Sequence, residues 1–170
     1  SCGINSCYRR AILCALLCCQ SDIFAGESHL SWPFRNGPGL NSQVSPADAH
    51  GLPTEFDEQS GKNVKWKIPL EGHGHSTPVI GAGRVWLTAA TEDGKQQFVY
   101  CLDAETGKVL HHKLVFENED PEPLGQNVNT YASPSCALQD DAVFVHFGSY
   151  GTARLSTETA EIVWQRRDIK

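Results

Sequence analysis

The chain has 170 residues, 40% of them hydrophobic, and a formal net charge of −6. That length allows one core of ordinary size, and the apolar share excludes a disordered or collagen-like polymer. The acidic balance argues against a nucleic-acid partner, whose phosphates demand a basic patch; Arg166-Arg167 and the scattered lysines are expected to be solvated.

Residues 1–25 read as an export signal. Arg9 and Arg10 supply a positive start, Ala11 to Cys19 is an unbroken apolar run of nine, and Ile23-Phe24-Ala25 offers a cleavage site. Nine residues are too few for a membrane-spanning helix, which takes about twenty. A short buried helix is one alternative; a lipoprotein signal, with Cys18 or Cys19 lipidated, is another. Leu17 and Cys18 stand where a small residue is needed before the cysteine, so plain export is favoured. Five of the seven cysteines (Cys2, Cys7, Cys14, Cys18, Cys19) lie here, whereas a disulfide framework would spread them through the folded part. Of the other two, Cys101 reads as a small buried hydrophobe, with a Cys101–Cys136 bridge as the alternative. The sequence holds no methionine and starts at Ser1, so an encoded start is expected upstream.

Residues 26–62 read as an irregular lead segment. Trp32-Pro33-Phe34-Arg35-Asn36-Gly37-Pro38-Gly39 and Gly51-Leu52-Pro53 are dense in turn formers, and Asp57-Glu58 and Ser60-Gly61 continue the polar theme. Trp32 and Phe34 are expected to anchor the loop, ligand stacking by Trp32 being the alternative.

From residue 63 the pattern changes. Val64 to Ile68 alternates apolar and basic residues, as a strand with one exposed face does, and Pro69 ends it. Gly72-His73-Gly74-His75-Ser76-Thr77-Pro78 leads into a strand reaching Ile80, and Gly81-Ala82-Gly83 turns the chain. Arg84 to Thr91 is the next strand, Glu92 to Lys95 a hairpin turn with an Asp-Gly core, then Gln96 to Leu102 and Lys108 to Phe116 follow. Glu117 to Pro123 is an acidic, proline-broken loop.

Roughly fifty residues on, the pattern returns. Tyr131-Ala132-Ser133-Pro134-Ser135 is set against His75 to Val79, Ala142 to Val145 against Arg84 to Leu87, and Glu161 to Trp164 against Lys108 to His111. Trp66, His111 and Trp164 thereby stand at equivalent places in three successive outer strands. Phe98 to Leu102 and Ala142 to Val145 are apolar at consecutive positions, which means that both faces are covered. Repeated four-stranded antiparallel units with two buried faces specify an all-β fold, a β-propeller. The propeller part is expected at residues 63–170, with a first blade at about 75–116, a second at about 131–167, and Val64 to Ile68 as an orphan strand.

Candidate chemistry is sparse. His73 and His75 are two apart, so on a strand they face the same way and form a candidate metal pair, but no third ligand is placed nearby. A glycine-rich approach to a strand is the competing explanation. His111 and His112 point to opposite faces, and His146 borders a hairpin marked by Gly148 and Gly151. There is no phosphate-binding glycine loop, no Gly-x-Ser-x-Gly turn and no zinc-protease histidine pair, and no catalytic residue is assigned.

The run Leu102-Asp103-Ala104-Glu105-Thr106-Gly107-Lys108-Val109-Leu110-His111 resembles the tryptophan-docking repeat of pyrroloquinoline-quinone (PQQ)-like propellers. In that repeat an Asp, a Thr-Gly turn and a closing Trp recur in each blade. Asp103, Thr106 and Gly107 match and His111 replaces the Trp; in the second copy Trp164 matches, while Ser156 and Ala160 replace the Asp and Gly. Trp32 to Arg35, Leu52-Pro53, Asn63 to Trp66 and Gly74 to Pro78 further resemble exported quinoprotein-like propellers of planctomycete-type bacteria. The resemblance covers residues 32–168. It implies a structural docking motif of Asp103, Thr106, Gly107, Trp66 and Trp164, in which a closing Trp lies flat on the turn of the neighbouring blade. Such propellers carry about eight blades, so the chain is expected to be the N-terminal part of a longer protein whose last blade takes up the orphan strand. The implied function is that of an exported, non-catalytic binding or scaffold protein, in the periplasm, cell envelope or secreted. It would meet a protein or small ligand on its ring face and need no cofactor. The alternative is a quinone-dependent alcohol or sugar dehydrogenase, using PQQ and calcium at a site in blades beyond this chain. The vicinal cysteine pair that such enzymes set beside the quinone has only Cys18-Cys19 as a counterpart, inside the expected signal.

Overall fold

The computed structural model describes residues 31–47, 49–125 and 128–168. The export signal read at residues 1–25 and the Cys18-Cys19 pair therefore lie outside the described residues. Among the described residues, two four-stranded antiparallel sheets hold every strand, each in simple meander order. The first comprises β1 (Val79–Gly81), β2 (Arg84–Ala90), β3 (Gln96–Asp103) and β4 (Val109–Glu117); the second comprises β5 (Ala137–Gln139), β6 (Ala142–His146), β7 (Thr152–Ser156) and β8 (Ile162–Arg166). A 3₁₀ turn, Gly148–Tyr150, joins β6 to β7. Among the described residues no helix is long and apolar enough to cross a membrane.

The two sheets share a register. Cys101 pairs with His111 and Leu102 with Val109, while Arg154 pairs with Trp164 and Leu155 with Ile162, so each outer strand carries its bulge at the same place, Leu110 or Val163. The inner strands correct one detail of the sequence alignment. Val79 faces Trp86 and Ala137 faces Phe144, so Pro78 corresponds to Cys136, and Pro134 stands two positions earlier in the second blade. Both prolines lie ahead of their strands, where no ladder bond fixes register and a residue lacking an N–H does no harm.

The inner strand of the first blade is interrupted. His73 makes an isolated bridge to Ala90, with N–H···O bonds of 2.8 and 2.9 Å, before regular pairing resumes at Val79. In between, the Ser76 hydroxyl accepts from the Thr88 N–H at 3.1 Å and donates to the Thr88 carbonyl at 3.2 Å, standing in for a missing backbone partner. Glycines make this closeness feasible: a Cβ on Gly72 would lie 2.7 Å from the Ala90 carbonyl oxygen, and one on Gly74 would lie 2.6 Å from that of Thr88.

Burial explains the consecutive apolar runs. One face of the first sheet (Val79, Trp86, Ala90, Val99, Cys101, Val115) meets Val143, Val145, Phe147, Ala153 and Leu155 of the second in one cluster. The opposite face (Val85, Ala89, Tyr100, Leu102) is covered by Trp66, Ile68 and Leu70. Residues 64–70 pair with no strand, yet alternate half-buried and exposed along their length, laying every second side chain on the sheet. Each fully buried aliphatic side chain in such a sandwich contributes about 1.5–3 kcal/mol. The second sheet keeps one face open, with Val163 53% and Trp164 37% exposed. Cys101 and Cys136 are buried and unbridged.

The lead segment closes the inner edge. Trp32 exchanges two backbone hydrogen bonds with Ile80, at 2.8 and 2.9 Å, and the Pro33 carbonyl accepts from the Leu138 N–H at 2.8 Å, so this strap touches both inner strands. The Trp32 ring lies over Gly37 of its own loop, and its indole N–H donates to the Arg35 carbonyl at 3.3 Å.

Candidate docking site

The β3–β4 turn is built around one carboxylate. Asp103 accepts from the N–H groups of Glu105 (3.1 Å) and Thr106 (2.7 Å) and from the Thr106 hydroxyl (2.7 Å). Those bonds, the Thr106 hydroxyl first and its N–H second, hold the Asp103 carboxyl below its usual range. The turn closes with the Gly107 N–H donating to the Asp103 carbonyl at 2.9 Å, and Gly107 sits at φ +72°. Trp66 lies directly over that glycine: a Cβ there would fall 2.6 Å from Cδ2 of the indole. The indole N–H then donates to the Ala104 carbonyl at 3.0 Å, so ring and N–H grip the same turn. Gly107 thus satisfies two demands, a left-handed backbone and a flat surface.

The second turn is built alike and gripped differently. The Ser156 hydroxyl accepts from the Glu158 and Thr159 N–H groups at 3.2 and 3.4 Å, and the Ala160 N–H donates to the Ser156 carbonyl at 3.0 Å. Ala160, at φ +56° and buried, occupies the place of Gly107. His111 reaches the same turn, with its Nε2 3.2 Å from the Glu158 carbonyl oxygen. The carbonyl matching that of Ala104 belongs to Thr157, and it accepts from Arg84 Nη1, which also donates to Glu158 O at 3.1 Å. Arginine and histidine together thus meet two carbonyls, Thr157 and Glu158, where the indole of the first turn holds the Ala104 carbonyl alone. With no indole plane beneath, a methyl group fits where glycine was needed. The third member of the series, Trp164, has Phe144 of its own sheet at a ring-centroid distance of 6.2 Å.

The remaining candidates are dispersed. His73 contributes its backbone to the bridge with Ala90, while His75 Nδ1 lies 3.1 Å from the Val128 carbonyl oxygen. His112 stacks on Tyr100 at 4.2 Å with rings 7° from parallel, and His146 Nδ1 lies 2.9 Å from the Thr152 hydroxyl. Among the described residues, no three His, Cys, Asp or Glu side chains converge.

Polar contacts zip the outer strands. Lys113 meets Glu161 at 3.1 Å, the Gln165 amide donates to the Val115 carbonyl, and the Arg167 guanidinium lies 4.9 Å over Phe116 while donating to Asn118 and the Glu117 carbonyl. Arg84 and Pro33 carry structural roles that the sequence did not signal, and Trp32, expected as an aromatic anchor, ties the strap to Ile80 through its backbone. Arg84 and its turn are 73 residues apart, a separation that no local pattern encodes.

These paired turns are the features that a comparison with known proteins can decide. A family model described as outer membrane protein assembly factor BamB matches residues 30–168. The chain belongs to that family. Among solved structures it is similar to BamB from Moraxella catarrhalis, at 18% identity and a TM-score of 0.44, over 61% of this chain and 26% of that one. The chain thus spans about a quarter of that structure's length. A comparison with curated protein sequences finds no match. The fold of this BamB-family chain is that of PQQ-like repeats.

Proposed function

We propose that this protein is an exported, non-catalytic propeller that acts as a binding or scaffold component of the cell envelope and meets a protein partner on one face of its ring. The family's description as an outer membrane protein assembly factor supports the envelope setting, and the signal-like residues 1–25 support export. The observation that carries the reading is the connection from β4 to β5. The link spans positions 118–136, its described residues (118–125 and 128–136) belong to no strand or helix, and links of this length are commonly functional. The link is held at several points: Asn118 N–H donates to Lys95 O at 2.8 Å, Tyr150 hydroxyl to Glu122 O at 3.2 Å, and Ser149 hydroxyl to the Glu122 carboxylate at 3.0 Å. It nonetheless turns Leu124 (42% exposed) and Val128 (69%) to solvent, beside the acidic side chains of Glu117, Glu119, Asp120 and Glu122. Exposed apolar side chains in a segment that also carries acidic residues have the composition of a protein contact.

Two measurements test the reading. A photo-crosslinking amino acid at Leu124 or Val128 of the full-length protein should give adducts with a defined envelope protein, whereas the same probe at Val163 should not. Reconstitution with PQQ and calcium should give neither quinone uptake nor dye reduction with alcohols or sugars. Quinone uptake with dye reduction would establish the dehydrogenase reading instead.

A further inference from the structure

At the end of the sheets opposite that loop, where the β1–β2 and β7–β8 turns meet, the blades part around a pocket of about 440 Å³. That volume lies in the range of small-ligand sites. Trp86, Leu138 and Pro33 give it apolar walls, and Asp140 and Glu158 stand at its rim. Arg84 also lines it. This guanidinium is half-buried, and its hydrogen bonds all leave from Nη1, to the carbonyls of Thr157 and Glu158. Among the described residues no carboxylate forms an ion pair with it, as is also true of Arg35, Lys95, Lys108 and Arg167. Its Nε and Nη2 donors have no acceptor among the described residues. A guanidinium keeps its charge at any ordinary pH and presents its donors as a flat fork, a shape that matches a carboxylate.

We propose that this inter-blade pocket binds a carboxylate carried on a small apolar body, with the carboxylate on the free edge of Arg84 and the body against Trp86 and Leu138. A free organic acid and the C-terminal residue of an extended peptide share that chemistry. The site is separate from the loop face and does not depend on the function proposed for it.

The test is an amide-resonance NMR titration of the purified chain with N-acetyl-leucine, N-acetyl-leucinamide and the tetrapeptide acetyl-Ala-Ala-Ala-Leu with a free C-terminus. The acid should shift Gly81, Ala82 and Leu138 saturably, and the amide should bind at least about tenfold more weakly, because a charge-assisted pair is replaced by a neutral one. Arg84→Gln should weaken the acid by a similar factor. Because Arg84 also holds the second turn, Asp140→Asn gives an independent reading. Asp140 is exposed and at φ +53°, a conformation that Asn adopts readily. Removing its charge should tighten the acid about two- to threefold and leave the amide unchanged. Tighter binding of the tetrapeptide than of N-acetyl-leucine supports the site and assigns it to peptide C-termini; equal binding supports it as a site for free acids. Acid and amide binding alike, no saturable shift at the pocket residues, or an Asp140→Asn protein with unchanged affinity for the acid would overturn the proposal.

Discussion

Gly107→Ala should be costly because of Trp66, and the cost should vanish in large part when the indole is removed. The substitution places a Cβ 2.6–3.0 Å from three indole atoms at a position with φ +72°. The left-handed backbone alone costs an L-residue about 1–2 kcal/mol. Lifting the ring breaks its N–H bond to Ala104, worth about 1 kcal/mol. It also uncovers part of an aromatic contact worth about 1–2 kcal/mol if some 50 Å² is exposed. The sum is about 3–5 kcal/mol. In a Trp66→His background only the backbone term remains, so the same substitution should cost about 1–2 kcal/mol. The second blade already pairs a histidine with an alanine in that turn, His111 against the Glu158 carbonyl and Ala160 at φ +56°. Urea unfolding of wild type, the two single variants and the double variant closes the cycle and should give a coupling energy of about 2–3 kcal/mol. Equal costs of Gly107→Ala in both backgrounds would refute the argument that the ring demands the glycine.

Other outcomes follow from the same packing. Trp66→Ala should cost about 2–4 kcal/mol, since the ring covers one face of the first sheet, whereas Trp164→Ala should cost under about 1 kcal/mol in chemical denaturation. Asp103 has a folded pKa below its unfolded value of 3.8, so its contribution is full above that pH and is lost as pH falls through the folded pKa. Denaturation midpoints of Asp103→Asn should therefore lie below wild type at neutral pH and converge with it on acidification; a constant gap would contradict this. Burial pushes the thiols of Cys101 and Cys136 up to about 12. Both should resist iodoacetamide at pH 8 in the folded protein and react once it is unfolded, as peptide mapping by mass spectrometry will show.

The sheets were legible in the sequence because their signals are local. The Asp-Gly hairpin at Asp93-Gly94, the consecutive apolar residues of Phe98 to Leu102 and the repeated polar turns each lie within a window of a few residues, and together they specify two antiparallel meanders. What failed was local as well. Pro134 was aligned with Pro78 on residue type, in a stretch where no ladder enforces register, and the strands place the two out of step by two positions. The role of Arg84 was not legible at all, and of the strap only an anchoring by Trp32 and Phe34 was, not the backbone bonds that achieve it. An arginine at the head of a strand looks solvated until the turn of the next blade, 73 residues away, is folded against it. Trp32 and Pro33 read as loop aromatics and turn formers, because what they contribute is carbonyl and N–H groups that every sequence carries.

That last point sets how the strap should respond to change. Its grip on Ile80 and Leu138 is made by the main chain alone, so it is sensitive to spacing and indifferent to chemistry. Side chains between Ser31 and Phe34 can be exchanged while the three bonds persist. A single-residue insertion after Pro33 leaves them in place, whereas one between Trp32 and Pro33 moves the Pro33 carbonyl away from Leu138 and frees one blade from the other at their inner edge. Spacing therefore governs the grip between the blades, while the Trp32 ring, over Gly37 and bonded to the Arg35 carbonyl, shapes only the strap's own loop.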